Sequence, residues 1–526
     1  MPRKAAALRL RLYVLAALAG HWGARSLPYP MDSESVVMPS SPMSQLRTLQ
    51  MTSTNDTQLT ALEEAIRELS YATDAIWVLI CGTLIFFMQA GFASLEVGSV
   101  RVASVQSILL KNVLDVAVGG VFWWGTGFAI AYSLNEPEKA FFGQGLLSWP
   151  DGSVSPTSEA YSTATWFFHW AYSTTAATIV SGGVAERARI ESYVIYSAIM
   201  VGGIYPLIVS WTWNPDGWLR TSFDSPYYDF AGSGIIHLTG GTGALVGALV
   251  LGPRRGRFVE GVDQTEFEPH SLPLIALGTL FLWFGWFGFN MGSTHAMHTS
   301  AQALSAGLIA VNVSLAASAG GLATFLLRYL LLRYHKYDMR AVCNGILGGL
   351  VSITAPCSNV TPGGALIVGA VAGLCYQIAS WSIRLLKIDD PVDAFPIHGI
   401  CGIWGVLAVP LLDFSKGMDS MSFAPNVGAG YQFGIQLLAV VVIMAFVGAS
   451  SLLVFGFFRI VDFFRLDVAP TVEHCSHHSP YGGGQLDRVG GQEVAVAAAM
   501  KSNENGFSAG MSWDSRAHDF DDLSST

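Results

Sequence analysis

Charge is scarce in this chain. Aspartate, glutamate, lysine and arginine make up 13% of its 526 residues, where a soluble protein of that size carries about twice that share. So few charges cannot cover the surfaces of several water-facing domains, which excludes that class. Cysteine is scarce too. The six copies (Cys81, Cys343, Cys357, Cys375, Cys401, Cys475) are scattered with no C-x-x-C pair, and read as small apolar packing residues rather than a disulfide framework or metal site. No nucleophile–base pair or phosphate loop stands out. The stretch GTGALVG at 241–247 lies in an apolar run, where its glycines serve helix packing. Neither an enzyme nor a cofactor is expected, and no nucleic-acid partner. The net charge of −10 says little about partners, since much of it sits in two polar ends.

What the chain does have is apolar length. Hydrophobic residues make up 51% and the mean hydropathy is +0.43, with the charges pushed into islands between apolar runs. Those runs are about 20 residues long, enough to cross roughly 30 Å of hydrocarbon. The expected fold is an all-α polytopic membrane protein. Eleven spans fall near 74–97, 108–133, 160–184, 191–213, 231–252, 271–291, 302–327, 341–356, 361–382, 392–413 and 430–458. With an extracellular N-terminus, the inner loops hold Arg101, Arg187, Arg189, Arg254, Arg255, Arg257, Arg328, Arg333, Lys336, Arg340, Arg384 and Lys387. The outer interhelical loops hold only Lys139, Arg220 and Lys416, so a cytoplasmic C-terminus satisfies the positive-inside rule.

Residues 1–25 have the basic, apolar and small-residue layout of a signal peptide. Residues 26–73 read as an extracellular segment whose sequon, Asn55-Asp56-Thr57, makes Asn55 a glycosylation candidate. The membrane domain is placed at 74–464, and 465–526 reads as a largely disordered cytoplasmic tail.

Within the apolar runs sit His237, in DFAGSGIIHLTGG, and His398, in DAFPIHGICG. An ionisable side chain in hydrocarbon is expensive and by default marks an ion or substrate path. One such histidine is as readily a satisfied packing residue. Two, in spans five and ten, suggest inverted five-helix repeats around one conduit, with an eleventh helix outside. Placed by span ends alone, each lies some 10 Å in from opposite faces, so tilt or a span starting deeper must bring them together. Asp229 reads first as a helix cap, and Asp389, Asp390 and Asp393 repeat that helix-start chemistry before span ten. His169, in WFFHWAY, is open between a vestibule and a packing role. Lys111 and Asp115 are expected to pair at i and i+4, and Glu96 to hydrogen-bond between helices. Aromatic residues crowd the outer ends of spans three, four and six, where a few converging would make a cation–π site.

Five stretches resemble the Amt/Mep/Rh ammonium transporter family, and its Amt branch in particular: QAGFASLEVGSVR (89–101), TAATIVSGGVAERA (175–188), DFAGSGIIHLTGGTGALVGALVLGPR (229–254), GWFGFNMGS (285–293) and DDPVDAFPIHGICGIWG (389–405). The likeness runs from about Asp74 to Phe464. It implies a homotrimer with one hydrophobic pore per subunit. Trp218 then looks like the vestibule tryptophan, Ser293 its hydroxyl acceptor, Phe289 and Tyr172 the ring pair of the gate, Asp229 the acid beneath the recruitment site, and His237 and His398 the twin pore histidines. Tyr172 stands where the family usually has phenylalanine and His169 where glutamine is common. The expected function is ammonium transport at the plasma membrane, ammonia crossing the pore while the histidines relay the proton. An ammonium sensor that conducts little and an electroneutral gas channel of the Rh type are the alternatives.

Overall fold

The computed structural model describes residues 56–132, 156–331, 338–412 and 429–466. The signal-peptide segment, Asn55 and the tail beyond 466 lie outside them. Among the described residues the chain is helical, with one isolated bridge between Ala188 and Arg465 as its only β-type pairing.

The long helices are α1 (Asp56–Ser99), α2 (Val102–Tyr132), α3 (Pro156–Gly183), α4 (Ile190–Thr212), α5 (Ser233–Leu251), α6 (Leu272–Gly292), α7 (Ser300–Leu330), α8 (Met339–Ile353), α9 (Pro362–Leu385), α10 (Phe395–Leu412) and α11 (Ala429–Ile460). Nine of them are long and apolar enough to cross a membrane; α8 is shorter, and α3 is richer in serine and threonine. Exposed Leu280, Phe284, Leu452, Leu453 and Phe457 would be costly in water and are at home against lipid. This is a multi-pass membrane protein.

Helices in lipid associate through close packing rather than hydrophobic burial, which favours small residues at their crossings. The α1–α6 crossing shows this directly. A Cβ at Gly278 would stand 2.6 Å from the Leu95 nitrogen and 2.7 Å from the Gly91 oxygen, so backbone meets backbone there.

One end of the bundle is tied together by ion pairs between loops. Arg254 reaches Glu186 at 2.6 Å and Asp389 at 2.8 Å, and Glu186 also binds Arg101 at 2.5 Å. Arg384 lies 3.2 Å from Asp393. Burial alone would push the Asp389 carboxyl up, but the Arg254 and Arg187 guanidinium groups pull it down to about 2. Asp390 feels only a weaker pull from Arg187, and burial, helped by the nearby Asp393 charge, pushes it up to about 6. The three aspartates therefore divide their roles. Only Asp390 caps α10, accepting from the Phe395 nitrogen at 2.8 Å, while Asp389 and Asp393 serve the ion pairs.

The expected Lys111–Asp115 ion pair does not form. Asp115 instead accepts from the Tyr193 hydroxyl at 2.6 Å, and the Lys111 ammonium, without a hydrogen-bond partner, lies 5.2 Å from the centre of the Tyr193 ring. The phenol offers both groups a partner on the adjacent helix, which the i,i+4 geometry alone ignores. Glu96 does bond between helices, accepting from Asn112 and Ser181.

A buried histidine pair beneath two tilted rings

The distance expected between the two histidines is removed by where their helices begin. Residues 222–232 carry no helix, and α5 starts only at Ser233, so His237 lies in its first turns. The approach is held by the chain after α8: the Phe230 and Ala231 nitrogens donate to the Ala355 and Thr354 carbonyls at 3.2 and 3.1 Å. Gly232 turns the chain with φ of +107°, a conformation open mainly to glycine. Asp229 then caps the helix. Its two carboxylate oxygens accept from the nitrogens of Gly232, Ser233, Gly234 and Ile235 at 2.8–3.0 Å, satisfying the free donors of the first turn. The α10 helix begins in the same way, at Phe395, with His398 three residues on.

Both histidines sit in widened, π-type turns, Ser233–Leu238 and Phe395–Ile400, the local distortion often found at functional positions. The two helix starts meet through glycine. A Cβ at Gly241 would fall 2.3 Å from the Gly399 nitrogen, and one at Gly402 would fall 2.6 Å from the Ser233 oxygen. This brings the imidazoles together, Nδ1 to Nδ1 at 3.1 Å, with ring planes 23° apart. One ring donates and the other accepts, since two protons or none would leave that contact repulsive. His237 also stacks on Trp286, centroids 5.0 Å apart, whose indole is fixed by donating to the Thr354 hydroxyl at 2.9 Å.

On one side of this pair stand Phe289, 5.5 Å from His237 by ring centroid, and Tyr172, 4.4 Å from Phe289. The Tyr172 hydroxyl donates to the Phe289 carbonyl at 2.6 Å and lies 2.7 Å from the Ser293 hydroxyl. Above them Trp213 comes within 5.7 Å of Tyr172 and 5.9 Å of His169, its indole nitrogen donating to the Asp229 carbonyl at 2.8 Å. His169 bonds the Tyr132 hydroxyl and stacks on His295 at 5.4 Å.

With this geometry the chain can be compared with known proteins. The family model described as Ammonium Transporter Family matches residues 76–478. The chain belongs to that family. Among curated relatives, ammonium transporter Amt2 of Archaeoglobus fulgidus is 37% identical over 397 residues, 73% of this chain and 81% of that protein. Ammonium transporter 1 member 3 of Solanum lycopersicum is 38% identical over 348 residues, 64% of this chain and 73% of its own length. Among solved structures, one described as a sensor Amt protein aligns with a TM-score of 0.68 at 31% identity, covering 76% of this chain and 96% of its own. Mep2 of Candida albicans aligns at 0.65 with 27% identity, covering 75% and 86%.

Seven of the residues singled out from sequence converge: Tyr172, Phe289, Ser293, His169, His237, His398 and Asp229 all lie along this column or its rim. Trp218 does not. Its rings lie 6.4 Å from Trp211 and 6.3 Å from Phe223, and it is partly exposed, whereas Trp213 has the position facing the ring pair. The signal for Trp213 was its place at the end of α4, from which the indole reaches back to the α5 cap. Tyr132 and His295 were also missed, the latter two residues beyond the recognisable GFNMGS.

Proposed function

We propose that this chain carries ammonium across the plasma membrane through eleven spans arranged as two inverted five-helix repeats plus α11, with the N-terminus extracellular, the C-terminus cytoplasmic and three copies per assembly. The arginine-tied end is then cytoplasmic. Ammonium is recruited at the outer mouth by the faces of Trp213 and Tyr172 and by the Ser293 hydroxyl. Aromatic faces attract a cation as its water is shed. Asp229 serves through its main-chain carbonyl, which fixes Trp213, and through its carboxylate, which caps α5, rather than by touching the cation.

Carrying the intact ion through the apolar segment would cost many kcal/mol, whereas ammonia crosses cheaply. Desolvation favours loss of the proton. The observation that carries the reading is the 3.1 Å contact between the His237 and His398 nitrogens directly below the Tyr172–Phe289 rings. An imidazole accepts a proton on one nitrogen and releases one from the other, so a touching pair passes a proton while its neutral partner moves alongside. Potassium has no proton to lose and stays out. The test is ammonium-evoked current in oocytes, compared with potassium, for the native chain and for His237→Ala/His398→Ala. Loss of the ammonium current in the variant supports the relay, and unchanged current refutes it. A second reading, a sensor that binds ammonium and conducts slowly, is favoured by one feature, the hydroxyl of Tyr172 tethered to Phe289 and Ser293.

A further inference from the structure

Beyond His398, away from the ring pair, the path opens into a cavity lined by Phe92 and Glu96 of α1, Ile179 of α3, Leu347 of α8 and His398 itself. Glu96 is the one carboxylate in that lining. It is 1% exposed, and both its named donors, Asn112 at 3.1 Å and Ser181 at 3.0 Å, bind the same oxygen, Oε2. A carboxylate buried this deeply among apolar helices is costly, and the rest of the fold does not need it as a cap or a loop tie.

Behind Glu96 the interior is unexpectedly polar. The Lys111 ammonium, Asn112 Oδ1, Asp115 Oδ1 and Gln89 Nε2 are all buried and all lack a hydrogen-bond partner. Native interiors leave few such atoms unpaired, and a cluster of four is the pattern that ordered water satisfies. The charged and titratable groups around it are Glu96 on α1, Lys111 and Asp115 on α2, Tyr193 on α4, Glu186 and Arg187 in the α3–α4 loop, and His398 on α10.

We infer that Glu96 is the inner proton port of this pore, taking the proton from His398 across the shared cavity and returning it to ammonia as that leaves. In the first step an imidazolium N–H bond breaks and a carboxyl O–H bond forms. In the second the O–H bond breaks and a fourth N–H bond forms on ammonia, which restores the carboxylate. Lys111 is a positioning residue, its charge partly offsetting that of the Glu96 carboxylate. The proposal rests on the histidine-relay reading and adds where the relayed proton goes.

The experiment measures ammonium-evoked current, divided by surface amount, for the full chain with Glu96→Gln, Glu96→Asp, Glu96→Gln/Lys111→Met and His237→Ala/His398→Ala. Expected are a fall of at least tenfold in Glu96→Gln, no recovery in the charge-balanced double variant, and a larger current with an altered pH profile in Glu96→Asp. If the double variant recovers native current, Glu96 only balances Lys111 and the proposal is overturned. Native current in Glu96→Gln with loss in the histidine variant overturns the port and leaves the relay standing. Native current in the histidine variant overturns both. Where Glu96→Gln reaches the surface poorly, Glu96→Asp decides: a pH profile identical to the native one at reduced current assigns Glu96 a packing role.

Discussion

Replacing Tyr172 by phenylalanine removes one oxygen. That oxygen holds the ring in place. To open, the Tyr172 ring must swing away from Phe289, breaking its bond to the Phe289 carbonyl at 2.6 Å and its contact with Ser293 at 2.7 Å. Each such bond is worth about 1 kcal/mol net, so the latch adds roughly 1–2 kcal/mol to the swing, depending on whether the freed hydroxyl finds a new partner. At about 1.4 kcal/mol per tenfold, ring opening is slowed about 5- to 30-fold. Tyr172→Phe is therefore expected to raise saturating ammonium current by about that factor, where ring motion limits transport. The fold suffers little, because Ser293 already contacts the Phe289 carbonyl at 3.1 Å and can keep it satisfied. The assay is two-electrode voltage clamp with surface labelling of each variant. An unchanged or smaller current per surface molecule would refute the latch.

Three further outcomes are expected. Trp213→Leu should weaken apparent ammonium affinity at least tenfold while Trp218→Leu changes it less than twofold, measured as the half-saturating concentration for current; the reverse order would return the recruitment role to Trp218. Arg254→Met should lower stability by about 3–5 kcal/mol, because Glu186 and Asp389 stay buried without their shared cation, read as a drop in the unfolding temperature in detergent. Asp390→Asn should stabilise the protein at pH 7.5 but not at pH 4. The folded-state value is raised from 3.8 to about 6, so the native chain loses stability as pH rises through that interval, up to about 3 kcal/mol, and asparagine has no proton to lose. Equal unfolding temperatures of the two proteins at both pH values would contradict this.

The helices and the candidate histidine pair were readable from residue order because they rest on local quantities, apolar length and the cost of a histidine in lipid. What sequence could not supply was three-dimensional. Counting from span ends put His237 and His398 on opposite sides of the membrane centre, since nothing in the letters says that 222–232 enters without forming helix. The Asp229 cap was legible in kind but not in extent, four donors rather than one. Lys111 and Asp115 looked like a pair because i,i+4 spacing ignores neighbours, and Tyr193, 78 residues beyond Asp115, decided otherwise. Choosing among Trp211, Trp213 and Trp218 required knowing which way each indole faces at the end of α4. Resemblance to a family pointed to Trp218, whereas the indole packed against Tyr172 is that of Trp213.

The contact between Gly241 and Gly399 has a bearing on how the pore tolerates change. Where two main chains touch, no rotamer remains that could absorb an error, so the spacing of the imidazoles is inherited from the chain trace itself. A single methyl on Gly241 would act as a wedge against the Gly399 main chain, prying apart rings that neither side chain has the reach to bring back. The contact between them is thus guarded by residues that carry no chemistry at all.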